Sequence, residues 1–194
     1  MLLKLLSHYK SPNDKISGLI KSKQLIALRR GLYVVGRNLD LNLPHPFLIA
    51  NHLKGPSYVS LETALAHWGL IPEKVFEVSS VTTQKPSVYD TPLGRFSFQQ
   101  LKTPYYAVGV TSLALSTKQH IMMASPEKAL CDKIILTAGI QLRSVTQTKA
   151  FLLEDLRISK DYLDALNHED ILVWSKISPK KSSITMLAKT LALL

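Results

Sequence analysis

Residues 11–35, SPNDKISGLIKSKQLIALRRGLYVV, constrain this chain more than any other stretch, because their order of signals admits one local fold. A capped helix is followed at once by a hairpin. Ser11 offers an oxygen to free amides, Pro12 suits the first helical position, and Asp14 favours the positive end of the helix dipole. Ile16, Leu19 and Ile20 then fall on one side at helical spacing, with Ser17, Gly18 and Lys21 on the other. Residues 24–28 and 32–36 are β-rich and flank Arg29-Arg30-Gly31, whose glycine can take the left-handed backbone of a three-residue hairpin loop. Two guanidinium groups are thereby expected at the tip of a ribbon.

Charge concentrates on the same stretch. Residues 1–37 carry eight cations (Lys4, Lys10, Lys15, Lys21, Lys23, Arg29, Arg30, Arg37) against one acid, Asp14, which is +7 of the chain's +10. The remainder is nearly balanced, with 16 basic and 13 acidic residues. A local excess marks one face, and a helix feeding a cationic hairpin is the reading half of a winged helix, whose natural partner is a phosphate backbone. Arginine there forks onto phosphate oxygens or enters a minor groove. A solubilising basic surface is the competing explanation, and charge alone does not separate the two.

At 194 residues, 46% hydrophobic and 20% charged, the composition is globular, with room for a small module and a larger domain. The apolar start, residues 1–6, is interrupted by Lys4 and too short for a secretory core, and no stretch approaches a membrane span. The only cysteine, Cys131, excludes an internal disulfide framework and suits a reducing cytoplasm. Residues 38–46, NLDLNLPHP, carry two prolines and lose periodicity, so they are expected as a linker between a winged-helix-like module (1–37) and a larger domain (47–194).

Within these bounds the reading is α+β: a small N-terminal winged-helix-like module, then a larger mixed α+β domain with a C-terminal helical tail. Leu2, Leu5, Leu6 and Tyr9 share one side and predict a short amphipathic helix over 2–10. A strand is expected over 47–51, and a helix over 61–68, capped by Ser60, ended by Gly69 and Pro72 and burying Leu61, Ala64, Leu65 and Trp68. Strands are expected over 75–83, 96–101 and 105–110, and a second strong helix over 127–137, started by Ser125-Pro126-Glu127, with Leu130 and Ile134 inward. Three helices, punctuated by Ser159, His168 and Pro179, fill 152–194.

Recognisable chemistry is sparse. The six histidines (His8, His45, His52, His67, His120, His168) lack metal-ligand spacing, and His168-Glu169 has no second histidine to complete a zincin pair. There is no P-loop, and Gly55-Pro-Ser57-Tyr-Val59 has valine where a nucleophile elbow needs glycine. Cys131 lies among apolar neighbours and reads as a packed small residue. The acids Glu62, Glu73, Glu77, Asp90, Glu127 and Asp132 form no paired-carboxylate signature, although a nuclease site can be assembled from distant positions. This favours a binding protein over an enzyme, with no cofactor expected.

One family gathers these features. The run LIKSKQLIALRRGLYVV resembles the wing region of AbiEi-type antitoxins, regulators of viral-defence systems. The resemblance continues through GPSYVSLETALAHWGLIPE, VSSVT, TPLGRFSF, YYAVGV and ASPEKALCDKI, covering roughly residues 11–140 in order. It implies a cytoplasmic component of an abortive-infection, type IV toxin–antitoxin operon, whose winged helix represses its own promoter at inverted repeats in double-stranded DNA. It also implies a larger domain that opposes a nucleotidyltransferase-like toxin without forming a stable complex. Carried onto this sequence, the recognition-like helix is 12–22 and the wing 24–35, with Lys15, Ser17, Lys21, Lys23, Arg29 and Arg30 as DNA-facing candidates. Ser60, Arg95, Glu127, Lys128 and Asp132 are the polar members of the later motifs and the candidates for antitoxicity. Only ten residues precede Ser11, where family winged helices have a further helix, so a trimmed module is expected, supported by dimerisation or by packing on the second domain. The alternatives are a module whose basic ribbon meets an acidic protein partner, and a metal-dependent nuclease.

Overall fold

The computed structural model describes residues 2–39 and 41–194. Met1, the side chains of Leu2 (in the N-terminal stripe) and Leu3, and Asp40 of the proposed linker lie outside the described residues. The chain is an α+β protein: a helix–hairpin unit at the N-terminus, a six-stranded mixed sheet with helices, and a helical C-terminal part.

The first helix, α1, spans Leu2–Leu5. It is shorter than the expected 2–10; of the described stripe residues Leu5 and Tyr9 are exposed and Leu6 is half-buried. Helix α2 (Pro12–Lys21) begins where its proline requires. Ser11 makes no side-chain cap; only its carbonyl is used, accepting from the Lys15 amide at 3.2 Å. Of the expected inward stripe Ile16 is buried, Leu19 half-buried and Ile20 exposed.

Strands β1 (Leu25–Arg29) and β2 (Leu32–Val35) form an antiparallel two-stranded sheet. Arg29 pairs with Leu32, so the loop is two residues, Arg30-Gly31, and the extra residue expected in it sits as an irregularity between Ala27 and Arg29. Gly31, at φ +81, takes the left-handed turn position assigned to it. Leu28 is buried in the same hydrophobic cluster as the main sheet, with Ile26, Leu32 and Val34 packed against it.

A 3-10 turn (Arg37–Leu39) leads towards α3 (Pro46–Leu53). The run expected as a strand over 47–51 is therefore helical. Pro46 and the His45 side chain, which accepts from the Phe47 amide at 3.2 Å, start it, and Ile49, Ala50 and Leu53 bury its inner side. A short apolar run cannot be assigned to helix or strand by periodicity alone.

The sheet is built from β3 (Ser57–Val59), β4 (Glu77–Thr82), β5 (Ser87–Thr91), β6 (Gly94–Gln100), β7 (Val110–Ser116) and β8 (Gln119–Ala124), in the order β5-β6-β4-β3-β8-β7. β4 runs parallel to β6 and β3 parallel to β8; the other neighbours are antiparallel. Central β3 is buried at every position, as a strand covered on both faces must be. The strand expected over 105–110 is instead a 3-10 turn (Tyr105–Ala107) that buries the Tyr105 ring, and β7 starts only at Val110.

Helix α4 (Leu61–His67) follows β3, packs on β4 and on α5 (Pro126–Leu136), and buries Leu61, Ala64 and Leu65, with Trp68 half-buried just beyond its end. Here the expected cap holds: Ser125 accepts from the Lys128 amide at 3.2 Å. The tail comprises α6 (Val145–Ala150), continued by a π-turn (Phe151–Asp155), then α7 (Lys160–Asp164), α8 (His168–Ser175) and α9 (Lys181–Leu191). Helices α8 and α9 pack on one another and on α5. Among the described residues no helix is long and apolar enough to cross a membrane.

Candidate functional site

Two polar constellations stand out, and they are opposites. The first is the N-terminal cationic surface. Lys15, Ser17 and Lys21 project from α2 into solvent, and a Cβ placed on Gly18 would meet no atom within 4 Å, so that side of the helix is open. Lys23 follows the helix in the left-handed conformation (φ 57), with its amide bonded to the Ile20 carbonyl and the Gln24 amide to the Leu19 carbonyl. This is a left-handed helix C-cap, a position that glycine usually fills. Arg29 and Arg30 are exposed at the hairpin tip. Among the described residues none of these five cations forms an ion pair. All six DNA-facing candidates thus lie on the exposed surface of one helix–hairpin unit.

The second constellation is sealed. On α5, Lys128 and Asp132 stand one turn apart, both wholly buried, with Lys128 Nζ 2.9 Å from Asp132 Oδ1. The Tyr58 hydroxyl donates to Asp132 Oδ2 at 3.0 Å and the Ser60 hydroxyl at 2.8 Å. Lys128 Nζ also donates to the Tyr105 carbonyl at 3.0 Å and lies 3.5 Å from the centre of the Tyr105 ring. Six side chains from β3, its exit, the 3-10 turn and α5 therefore meet here, with Tyr58, Ser60, Tyr105 and Cys131 around the Lys128–Asp132 pair. Burial pulls the lysine down from its ordinary pKa and pushes the carboxyl up; the opposite charge of each partner works against both shifts. The same burial raises the Tyr58 and Tyr105 hydroxyls and the Cys131 thiol, which leaves Cys131 an unreactive packing residue.

The sequence reading assigned Ser60 as the cap of α4. Its side chain makes no cap bond and is taken by Asp132, 72 residues along the chain. Leu61, immediately after it, is held at φ 55, unfavourable for a bulky residue, which aims Ser60 inward as β3 gives way to α4. Of the five antitoxicity candidates, Ser60, Lys128 and Asp132 lie together in this cluster and cannot touch a partner directly. Arg95 stands apart and exposed on β6, its Nε 2.7 Å from Glu77 Oε2 and its Nη1 3.4 Å from Asp90 Oδ1. Glu127 ties α5 to α8, accepting from the Ser125 hydroxyl at 2.8 Å and the Asn167 amide at 3.2 Å.

Sequence reasoning missed Tyr58, Tyr105 and Lys180. Lys180 Nζ donates to the carbonyls of Ile134 and Thr137 at 2.8 Å and of Ile140 at 3.0 Å, closing the C-terminal end of α5 where the dipole favours a cation. No local signal marks it, since its acceptors lie about 40 positions earlier (|i−j| = 40 to 46). The Lys128/Asp132 pair did carry one: opposite charges four apart in the apolar context ALC. Among the described residues no three His, Cys, Asp or Glu side chains gather as metal ligands would.

No protein-family model matches the chain, and no curated protein matches it at a significant level.

Proposed function

We propose that this protein is a DNA-binding regulator of the AbiEi antitoxin type, acting on its own promoter and opposing a nucleotidyltransferase-like toxin. The observation that carries this reading is the distribution of charge. Lys15, Lys21, Lys23, Arg29 and Arg30 are exposed on one helix–hairpin unit, in a stretch (residues 1–37) that carries +7 of the chain's +10, whereas the remainder is nearly balanced. Cations concentrated on one exposed unit release counterions from a polyanion, and a helix with an open small-residue side presents itself to a groove. On this reading α2 enters the major groove, Ser17 contacts the DNA beside Gly18, and the Arg29–Arg30 tip braces the backbone. Packing of Leu28 into the main core anchors the hairpin to the larger part. Opposition to the toxin falls to the larger part. There Ser60, Lys128 and Asp132 set the internal architecture, and Arg95 is the exposed polar candidate.

A mobility-shift titration with duplex DNA from upstream of the gene, repeated across salt concentrations, tests this. With about five phosphates contacted, log affinity falls against log salt with a slope of roughly −4 to −5. Replacing Arg29 and Arg30 with alanine flattens that slope by up to about two units. Unchanged affinity and slope in the double variant would remove the hairpin from the interface and the reading with it.

A further inference from the structure

We infer that the groove between the hairpin and the β5–β6 turn binds a small amphiphilic anion, an apolar body carrying one carboxylate. The groove encloses about 490 Å³, within the range of small-molecule sites. Ile20 at the end of α2, Leu25 and Ala27 of β1, and Pro92 in the turn supply apolar walls. Lys23 and Arg37 also line it, and among the described residues no acidic side chain does. Among the described residues neither cation forms an ion pair. Walls of this kind offer nothing to a bare phosphate, so the occupant has an apolar body as well as a charge.

The backbone explains why two cations fourteen positions apart share this edge. The Gly36 amide donates to the Gln24 carbonyl at 2.8 Å, and a Cβ on Gly36 would overlap the Lys23 carbonyl. Asn38 Nδ2 donates to the Ser22 carbonyl at 3.4 Å, adding a second tie between the two segments. Lys23 is therefore clamped beside Arg37 in a left-handed conformation that any Cβ disfavours. Glycine would relieve that strain at once. A strained residue at the groove, bearing one of its two charges, is the arrangement of a binding residue. Nothing in this site depends on whether the module binds DNA.

The test is a fluorescence titration of the full chain with anilinonaphthalene sulfonate, followed by displacement with decanoate or with decanol. Saturable binding to one site is expected, with decanoate displacing the probe about tenfold better than decanol. Lys23→Met and Arg37→Met each weaken decanoate about tenfold, since each keeps an apolar stem and loses the charge. Lys23→Gly weakens it equally while raising the thermal midpoint by about 2–4 °C, which separates loss of the cation from loss of the fold. Equal displacement by decanol and decanoate, or wild-type decanoate binding in the Lys23 variants, would overturn the inference.

Discussion

The hairpin end of this chain and helix α5 both depend on basic side chains, yet they handle charge in contrary ways. Lys128 has no contact with solvent, and its charge is met by Asp132, a carbonyl and two tyrosine rings. Arg29 and Arg30 stand in solvent with no acid against them among the described residues. A sealed charge is a constraint on folding: it can be neither hydrated nor screened, so every partner has to be in place. An exposed, unmatched charge does little for the fold and stays available to an outside anion. The same residue chemistry thus serves architecture in one place and recognition in the other, and burial decides which.

Four measurements would break or sharpen that contrast. The largest effect is expected for Asp132→Ala, which strands the Lys128 ammonium in the core and costs about 3–5 kcal/mol in urea denaturation. Replacing both partners, Lys128→Met with Asp132→Leu, recovers most of that loss. A single-variant cost below about 1 kcal/mol would mean that the site behaves as a surface pair. Lys180→Met leaves three carbonyls at the end of α5 without their shared donor and costs about 1.5–3 kcal/mol by the same assay. Arg29→Ala with Arg30→Ala moves stability by no more than about 0.5 kcal/mol, so any change in DNA affinity is a change in recognition.

The smallest effect concerns pH. Partial burial first, and the neighbouring His67 second, hold His45 below its ordinary pKa of 6.5. The unfolded chain therefore takes up that proton at a higher pH than the folded one. The contribution is full above about pH 6.5 and is lost as pH falls below it. The structural reason is that Nδ1 accepts from the Phe47 amide at the start of α3, and a protonated ring cannot. Urea midpoints should drop more between about pH 7.5 and 5.5 in the wild type than in His45→Asn, which keeps a cap acceptor that does not titrate. Parallel profiles would assign the acid sensitivity elsewhere.

Legibility in the sequence followed the range of the interactions. The start of α2 at Pro12, the Ser125 cap of α5 and the Gly31 turn were read from neighbours within four residues, and each formed close to where it was placed. Ser60 looked like an equally good cap and was not one, because a carboxylate 72 residues away takes its hydroxyl. The run at 47–51 has a strand's composition, but the His45 cap and burial of Ile49, Ala50 and Leu53 make it helical. A strand is expected at 105–110, whereas Tyr105 is turned inward to meet Lys128. Of the candidate site, the cationic surface was legible because exposure needs no partner, and the Tyr58–Tyr105–Lys128–Asp132 cluster was not because each member is defined by the others.

By itself the sequence determined an α+β chain with a helix and basic hairpin at one end, since proline, glycine and charge act on the residues beside them. Only the tertiary structure decided which polar side chains would be sealed and which left in water. Desolvation is a property of what packs around a group, and here the packing partners come from strands, turns and helices far apart along the chain.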